Sequence, residues 1–219
     1  MLRVFKHTFN LFQENTYVVA DETNQCAIID PGCNDDYERS ELVKTIEANG
    51  LTPVLLLNTH CHIDHFPGNK FLCDKYQLLP QFHETEWLVM KQALDFQSFF
   101  NFTCEASPKP EKFLKEGDEV KFGNTSLKVF FTPGHSPGHL SFYSEADKKV
   151  FSGDVLFQGS VGRFDLPGAS GDVLFNSIKT KLLTLPDDVV VYSVHGPETT
   201  IGVEKKTNPF LQGQTAFFN

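Results

Sequence analysis

The chain has 219 residues, of which 40% are hydrophobic, and its formal net charge is −9. This length allows one large hydrophobic core, and without any Ser/Gly, Pro-rich or single-charge tract the sequence predicts a single domain over residues 1–219. The acidic balance argues against a nucleic-acid partner, because phosphate binding needs clustered Lys and Arg.

The first residues lack the apolar segment and the small-residue cleavage site of a secretory signal, and no apolar run is long enough to span a bilayer. The five cysteines are odd in number and irregularly spaced, which is typical of free thiols in a reducing compartment. We therefore expect a cytoplasmic protein without membrane contact. The sequence leaves its oligomeric state open.

The first third of the chain predicts strands followed by a helix and a further strand. Short β-rich runs separated by polar turns cover residues 2–9, 16–20 and 26–30. Residues 35–49 have apolar side chains at helical spacing and end at an Asn-Gly pair, which is typical of an amphipathic helix. The continuous apolar run at residues 53–57 predicts a strand that is buried on both faces.

The remainder of the chain alternates between helical and strand patterns. Residues 83–102 are rich in aromatic side chains at helical spacing, which predicts either a helix packed on a sheet or a wall of a substrate cleft. Two strand pairs, a helix and a final strand are then predicted at residues 119–122, 126–131, 140–143, 150–152, 172–185 and 189–192. Strands mixed with helices through both halves predict an α/β layered sandwich.

The most informative segment is the loop after the predicted strand at residues 53–57, which reads Thr-His-Cys-His-Ile-Asp-His. In extended backbone, alternate residues project to one side, so that His60, His62 and Asp64 share a face. A turn into a following helix would bring His65 towards the same cavity. Imidazole and carboxylate groups bind zinc, iron and related ions, so this loop can offer four ligands to two neighbouring metals.

Three further metal-competent residues follow predicted strands. They are His135 in a Thr-Pro-Gly-His motif, Asp154 after a glycine, and His195 before a glycine. Ligands at the ends of several strands can converge at one edge of a sheet. Together with the loop they make a set large enough for two metal sites that share one carboxylate and a water.

These motifs resemble those of the metallo-β-lactamase superfamily, and the resemblance covers nearly the whole chain. The match is closest to the glyoxalase II (hydroxyacylglutathione hydrolase) branch. Glyoxalase II continues into a C-terminal helical extension that helps to bind glutathione. This sequence stops soon after Phe210 and is similar instead to the short, single-domain members. The resemblance implies an αββα sandwich, in which two mixed β-sheets are flanked by helices.

The resemblance also implies how the ligands divide between two metals. It implies a first metal on His60, His62 and His135, a second on Asp64, His65 and His195, and Asp154 bridging the two. We assign the catalytic role to the two aspartates, acting with a metal-bound water. We expect two divalent ions per chain, with zinc favoured and iron or manganese as alternatives.

The expected reaction follows from the metals. A two-metal site lowers the pKa of bound water to about 7, so that hydroxide can attack a carbonyl while a metal stabilises the developing oxyanion. The motifs contain no obvious additional general acid. A thiolate leaves without one, because its conjugate thiol has a pKa of about 8.5. We therefore predict hydrolysis of a small-molecule thioester or related ester.

Three further residues are expected near the ligands. His139 is a candidate for orienting a ligand, with a purely structural role as the alternative, and Arg163 and Asp165 are candidates for a pair near Asp154.

Other functions stay open on the sequence. Persulfide dioxygenases resemble this family but bind one iron through two His and one Asp, which here would be His60, His135 and Asp154. A non-enzymatic protein that metal merely stabilises would lose its fold, rather than turnover, on chelation. A β-lactamase role is disfavoured, because we recognise no export signal.

Overall fold

The computed structural model of the protein describes residues 1–213, apart from the side chain of Phe100, so the predicted domain of residues 1–219 extends beyond the described residues. The first sheet follows chain order and contains β1 (Arg3–Phe9), β2 (Glu14–Ala20), β3 (Gln25–Ile29), β4 (Thr52–Leu57) and β5 (Pro80–Gln81). Strands β1, β2 and β3 pair antiparallel, whereas β3, β4 and β5 pair parallel. This sheet is therefore mixed, as predicted.

The second sheet is built from the other half of the chain. Its strands and an intervening two-stranded hairpin are β6 (Glu119–Phe122), β7 (Thr125–Phe131), β8 (Leu140–Ser144), β9 (Lys149–Gly153), the hairpin strands β10 (Leu156–Phe157) and β11 (Ser160–Val161), β12 (Val190–Ser193) and β13 (Thr199–Thr200). The spatial order is β13-β12-β9-β8-β7-β6, and only β9 and β12 pair parallel. This second sheet is also mixed.

Helices flank the two sheets. They are α1 (Asp36–Ala48), α2 (Asn69–Tyr76), α3 (Glu86–Phe96), α4 (Gly171–Ser177) and α5 (Ile201–Thr207). One apolar cluster fills the space between the sheets, a second lies between the first sheet and α1 with α2, and a third lies between the second sheet and α4 with α5. The predicted αββα sandwich is therefore confirmed.

Two predicted helices differ from the structure at their ends. In the segment 83–102, α3 is followed by a 3-10 turn over Gln97–Phe100, which stops where Asn101 adopts a left-handed conformation (φ 49°). In the segment 172–185, α4 continues as a π-helical turn that ends at Leu182. No helix within residues 1–213 is long and apolar enough to cross a membrane.

Candidate metal centre

The predicted ligands come from four strand ends on one edge of the sandwich. The loop after β4 carries His60, His62, Asp64 and His65, the β7–β8 loop carries His135, and β9 and β12 are followed by Asp154 and His195. The candidate ligand atoms form three sets, and within each set they lie within 4.8 Å of one another. The sets are His60 with His62 and His135, here called the first group, Asp64 with His65 and His195, here called the second group, and His60 with His65 and Asp154, which connects the two groups. The structure therefore brings all seven predicted ligands together, drawing them from both sheets.

The first group consists of three imidazoles. His62 Nδ1 lies 3.0 Å from His60 Nε2 and 2.9 Å from His135 Nε2. The remaining nitrogens of His60 and His135 are occupied: Nδ1 of His135 donates to the carbonyl of Arg163 (2.8 Å), and Nδ1 of His60 lies 3.2 Å from the hydroxyl of Thr59.

The hydrogen positions in this group follow from their neighbours. The Thr59 hydroxyl donates its one hydrogen to the carboxylate of Asp30 (2.7 Å), so it accepts from Nδ1 of His60. Both His60 and His135 therefore direct an unprotonated Nε2 at the same point. A buried point on which lone pairs converge favours a cation, so this geometry fits a metal ion.

The second group contains two imidazoles and a carboxylate. Asp64 Oδ2 lies 3.3 Å from His195 Nε2 and 3.6 Å from His65 Nε2. On its other side, His65 Nδ1 lies 3.5 Å from Asp30, which is fully buried. Nε2 of His65 is buried without a hydrogen-bond partner, so a metal ion would satisfy it.

Asp154 lies between the two groups. Its Oδ2 is 3.4 Å from His135 Nε2 in the first group, and 3.6 Å and 3.9 Å from His195 Nε2 and His65 Nε2 in the second. The other oxygen, Oδ1, is buried without a hydrogen-bond partner. One carboxylate is thus shared by both sets of nitrogens, as bridging of two ions would require.

The electrostatics of the two groups differ. Burial, with the nearby His135, lowers the pKa of His62 to about 3, and burial also lowers the pKa of His60. Burial opposes the charge of His65 too, but the carboxylates of Asp64 and Asp30 outweigh it and raise the pKa of His65 to about 10. Without metal, the lowered pKa values therefore keep the imidazoles of the first group neutral, whereas His65 in the second group holds an additional proton.

The three residues predicted near the ligands take different positions. His139 is fully buried, and its Nε2 accepts a hydrogen bond from the backbone N–H of Asp154 (3.0 Å). Arg163 and Asp165 form a bidentate pair at 3.0 Å, but both side chains are 67% exposed. It is the Arg163 carbonyl, and not its side chain, that contacts the predicted ligand His135.

The aromatic segment packs against the loop after β4 that carries His60, His62, Asp64 and His65, here called the metal loop. Trp87 and Met90 of α3 join a cluster with Cys61 and Phe66 of that loop, which supports the interpretation of α3 as a packing helix. Contact of this segment with substrate stays a prediction. On the opposite side, Phe157 of β10 packs edge-on near His195, with ring centroids 6.2 Å apart.

Sequence reasoning missed three buried polar residues that support the loops. Asp30 accepts hydrogen bonds from both the N–H and the hydroxyl of Thr59, Glu86 contacts the metal loop and the β7–β8 loop, and Asn15 contacts the segment around His195. Asp30 alone had a usable signal, since it directly follows a strand, as several of the predicted ligands do. Glu86 and Asn15 act through contacts distant in sequence, which no local pattern reveals.

Comparison with known proteins agrees with this geometry. The profile described as Metallo-beta-lactamase superfamily matches residues 9–195, which include every candidate ligand. The chain belongs to the metallo-beta-lactamase superfamily. Among its relatives in that superfamily is a probable metallo-hydrolase of Bacillus subtilis, 41% identical over 92% of this chain and 93% of the relative. Another is the hydroxyacylglutathione hydrolase GloC of Haemophilus influenzae, 35% identical over 93% of this chain and 95% of the relative.

Solved structures of the superfamily overlay closely on this fold. The BLEG-1 B3 metallo-beta-lactamase has a TM-score of 0.88 at 35% identity, covering 97% of this chain and 100% of that chain. TTHA1623 in a di-iron-bound form has a TM-score of 0.85 at 40% identity, covering 95% of this chain and 100% of that chain. The TTHA1623 structure is thus that of a relative with two iron ions bound.

Proposed function

We propose that this protein is a binuclear metal-dependent hydrolase that cleaves a small-molecule thioester or a related ester. The observation that carries the proposal is the position of Asp154 Oδ2, within 3.4–3.9 Å of imidazole nitrogens from both ligand groups. A carboxylate between two sets of ligands supports two ions that share it. The metallo-hydrolase relatives support the same reaction class.

The donor atoms define which residues hold which ion. In this proposal one ion is held by His60, His62 and His135, the other by Asp64, His65 and His195, and both by Asp154. When bound, two divalent ions bring the pKa of water towards neutrality and polarise a carbonyl oxygen. Zinc suits these nitrogen and oxygen ligands, and iron suits them as well.

The protein's own groups contribute orientation and charge. Burial would raise the pKa of Asp64, but His65 and His195 lower it well below its usual range, so this carboxylate stays ionised and accepts hydrogen bonds. Among the described residues, the titratable groups within the cluster are ligands, which leaves none of them free to protonate a poor leaving group. A thiolate leaves as the anion at neutral pH, and this favours thioesters over amides.

The relative named hydroxyacylglutathione hydrolase supports a glutathione thioester as the first substrate to test. We would measure metal content by elemental analysis and hydrolysis of S-D-lactoylglutathione on the same sample. About two zinc or iron ions per chain with thioester turnover is the expected result. About one iron per chain, no thioesterase activity and persulfide-dependent oxygen uptake would replace this proposal with the mononuclear dioxygenase alternative.

A second candidate function is β-lactam hydrolysis, and the overlay with the BLEG-1 enzyme favours it. The two candidates share the metal centre and differ in leaving group, because an amide nitrogen needs a proton that a thiolate does not. Nitrocefin hydrolysis measured beside thioester hydrolysis separates them. We expect kcat/KM for the thioester to exceed that for nitrocefin, and the reverse order would favour the β-lactamase function.

We also propose that the protein acts in the cytoplasm. All five cysteines are free thiols in the described structure, and four of them are buried. Unpaired cysteines are typical of a reducing compartment.

A further inference from the structure

Each candidate metal position spans the gap between the two sheets. In both ligand groups, some ligands come from the loop after β4 in the first sheet and others from strand ends of the second sheet. The spacing of the ligands in each group therefore depends on how firmly the two sheets are joined nearby. Two buried polar side chains, Glu86 and Asn15, form hydrogen bonds that connect the two sides of this gap, and each lies beside a different ligand group.

Glu86 joins the loops of the first group. Its Oε2 accepts the backbone N–H of Cys61 (2.8 Å), which lies between two histidines of the metal loop. Its Oε1 accepts the hydroxyl of Ser136 (2.5 Å) and the N–H of Gly138 (2.7 Å), on either side of the turn that follows His135. The side chain is fully buried, so one carboxylate fixes the two loops that carry the first group.

Asn15 joins the sheets beside the second group. Its backbone N–H donates to the carbonyl of Val194 (2.7 Å), and its Nδ2 donates to the carbonyls of Gly196 (2.9 Å) and Ser193 (3.2 Å). These three residues surround His195. The hydroxyl of Thr8 donates to Asn15 Oδ1 (2.8 Å), which fixes the orientation of the amide.

The segment around His195 has few other anchors in the described structure. The hydroxyl of Tyr17 donates to the Ser193 carbonyl (2.6 Å), and the Ser193 hydroxyl donates to the His195 carbonyl (2.9 Å). The His195 side chain is 30% exposed, compared with 0% for His65 in the same group. The Val194 N–H also donates to the Gly153 carbonyl (3.3 Å). Asn15 nevertheless makes three of the hydrogen bonds to the backbone around the most exposed ligand in this group, two of them from its side chain.

We propose that Glu86 and Asn15 are positioning residues that set metal affinity separately, Glu86 at the position of His60, His62 and His135, and Asn15 at the position of Asp64, His65 and His195. This inference rests on the proposed binuclear centre. Residues that support metal ligands typically change metal affinity by about 10–100-fold when they are substituted. Because Glu86 and Asn15 act at different positions, the metal affinity of one position can change while the metal affinity of the other stays the same.

The test is calorimetric titration of Zn²⁺, against a competing chelator, into the metal-free full-length chain. We expect two binding events in the wild type. His62→Ala should remove the event of the first position and His195→Ala that of the second, which identifies each event. Asn15→Ala should then weaken only the second event, and Glu86→Gln only the first, each by about 10–100-fold.

A double substitution sharpens the assignment. Asn15→Ala combined with His195→Ala should bind zinc like His195→Ala alone, because both act at one position. Combined with His62→Ala, it should leave only a weakened second event. Tyr17→Phe removes one anchor of the same segment and should weaken the second event to a smaller degree, which gives a milder variant if Asn15→Ala does not fold.

Glu204 supplies a matched control for Glu86. It is also a fully buried glutamate, and it accepts hydrogen bonds from Thr199, Gly159 and Asn208 instead of from the metal loops. Glu204→Gln should lower thermal stability without changing the ratio of the two zinc affinities. The inference would be overturned if Asn15→Ala or Glu86→Gln weakened both zinc-binding events equally, or weakened neither. Two binding events in the wild type would still support the proposed function in that case. A wild type that binds fewer than two ions overturns both.

Discussion

At the residue scale, one oxygen of Asp154, Oδ2, lies near His135 of the first ligand group and near His195 of the second. Asp154→Ala should therefore remove an anionic ligand from both positions. We expect metal content to fall below two ions per chain and kcat/KM to drop by more than about 100-fold, the upper range for residues that only support ligands. Elemental analysis and thioester hydrolysis on one sample measure both.

A surface aspartate provides the control for this substitution. Asp188 is exposed and pairs with Lys148, so Asp188→Ala should retain full metal content and turnover. An Asp154→Ala enzyme with full metal content and activity would contradict the bridging role.

Glu14 is a buried carboxyl group whose neighbours indicate that it is protonated. The Thr16 hydroxyl has one hydrogen, yet both Glu14 Oε2 and the Asp30 carbonyl lie 2.9 Å away. Because a carbonyl only accepts, all contacts are satisfied when Thr16 donates to Asp30 and neutral Glu14 donates to Thr16. Burial, together with the nearby Asp30, raises the pKa of Glu14 well above its usual range.

Glu14→Gln should consequently stabilise the protein more as the pH rises. Unfolded Glu14 loses its proton near its ordinary pKa of about 4.3, whereas folded Glu14 keeps it. The contribution of Glu14 to stability is thus complete below about pH 4 and declines as the pH rises towards the folded pKa. Relative to the wild type, Glu14→Gln should gain up to about 1.4 kcal/mol per pH unit once the pH exceeds the unfolded pKa, until the pH reaches the raised pKa of folded Glu14. Urea unfolding at several pH values measures this difference, and a difference that stays flat would show that folded Glu14 is ionised.

At the scale of elements, α1 shows how a short sequence signal fixes a helix boundary. Asp35 is in extended backbone immediately before α1, and its side chain accepts the N–H of Glu38 (2.8 Å). Asp35→Ala should lower the free energy of unfolding by about 1 kcal/mol, the usual loss when such a cap is removed. Asp36→Ala, which removes only an exposed pair with Arg39, should change it by less than about 1 kcal/mol in a parallel urea experiment. Equal effects would contradict the capping role.

The elements predicted from the sequence are those with a strong local pattern. The strands of residues 2–9 and 26–30 and the hairpin of β6 and β7 were recognisable from β-rich runs and turn residues. By contrast, β5 and β13 have two residues each and exist only through pairing with β4 and β12. Such short strands leave no periodicity to detect.

The residues of the candidate site likewise differ in whether a local sequence pattern predicted them. Four ligands lie within six residues of one loop and the rest stand in Gly-containing motifs at strand ends, so spacing and residue type predicted them. The supports Glu86 and Asn15 are indistinguishable in sequence from ordinary helix and strand residues. Their role arises from hydrogen bonds to residues up to 181 positions away, which only the folded chain establishes.

Across the whole molecule, metal uptake should be coupled to proton release. In the metal-free protein the carboxylates of Asp154 and Asp64 outweigh burial and raise the pKa of His195, and that of His65 is about 10. At pH 7 the His65 ring therefore holds a proton that a bound ion must displace, and the raised pKa of His195 adds to proton release in the same direction. Zn²⁺ affinity should rise with pH, and calorimetry in buffers of different ionisation enthalpy should register the release of at least about one proton per chain. Buffer-independent heats would contradict this coupling.

The contact between Asn15 and the segment around His195 joins residues up to 181 positions apart. During synthesis on the ribosome, the metal loop emerges long before β12, and the strand that carries Asn15 can pair with the segment around His195 only after β12 has also been made. An early-captured ion would meet only half of its ligands, and loop closure over such a separation costs entropy that the nascent chain recovers only on completion. We therefore expect full metal retention only after β12 has been made and has paired with β9, so that shorter nascent chains would release the ion.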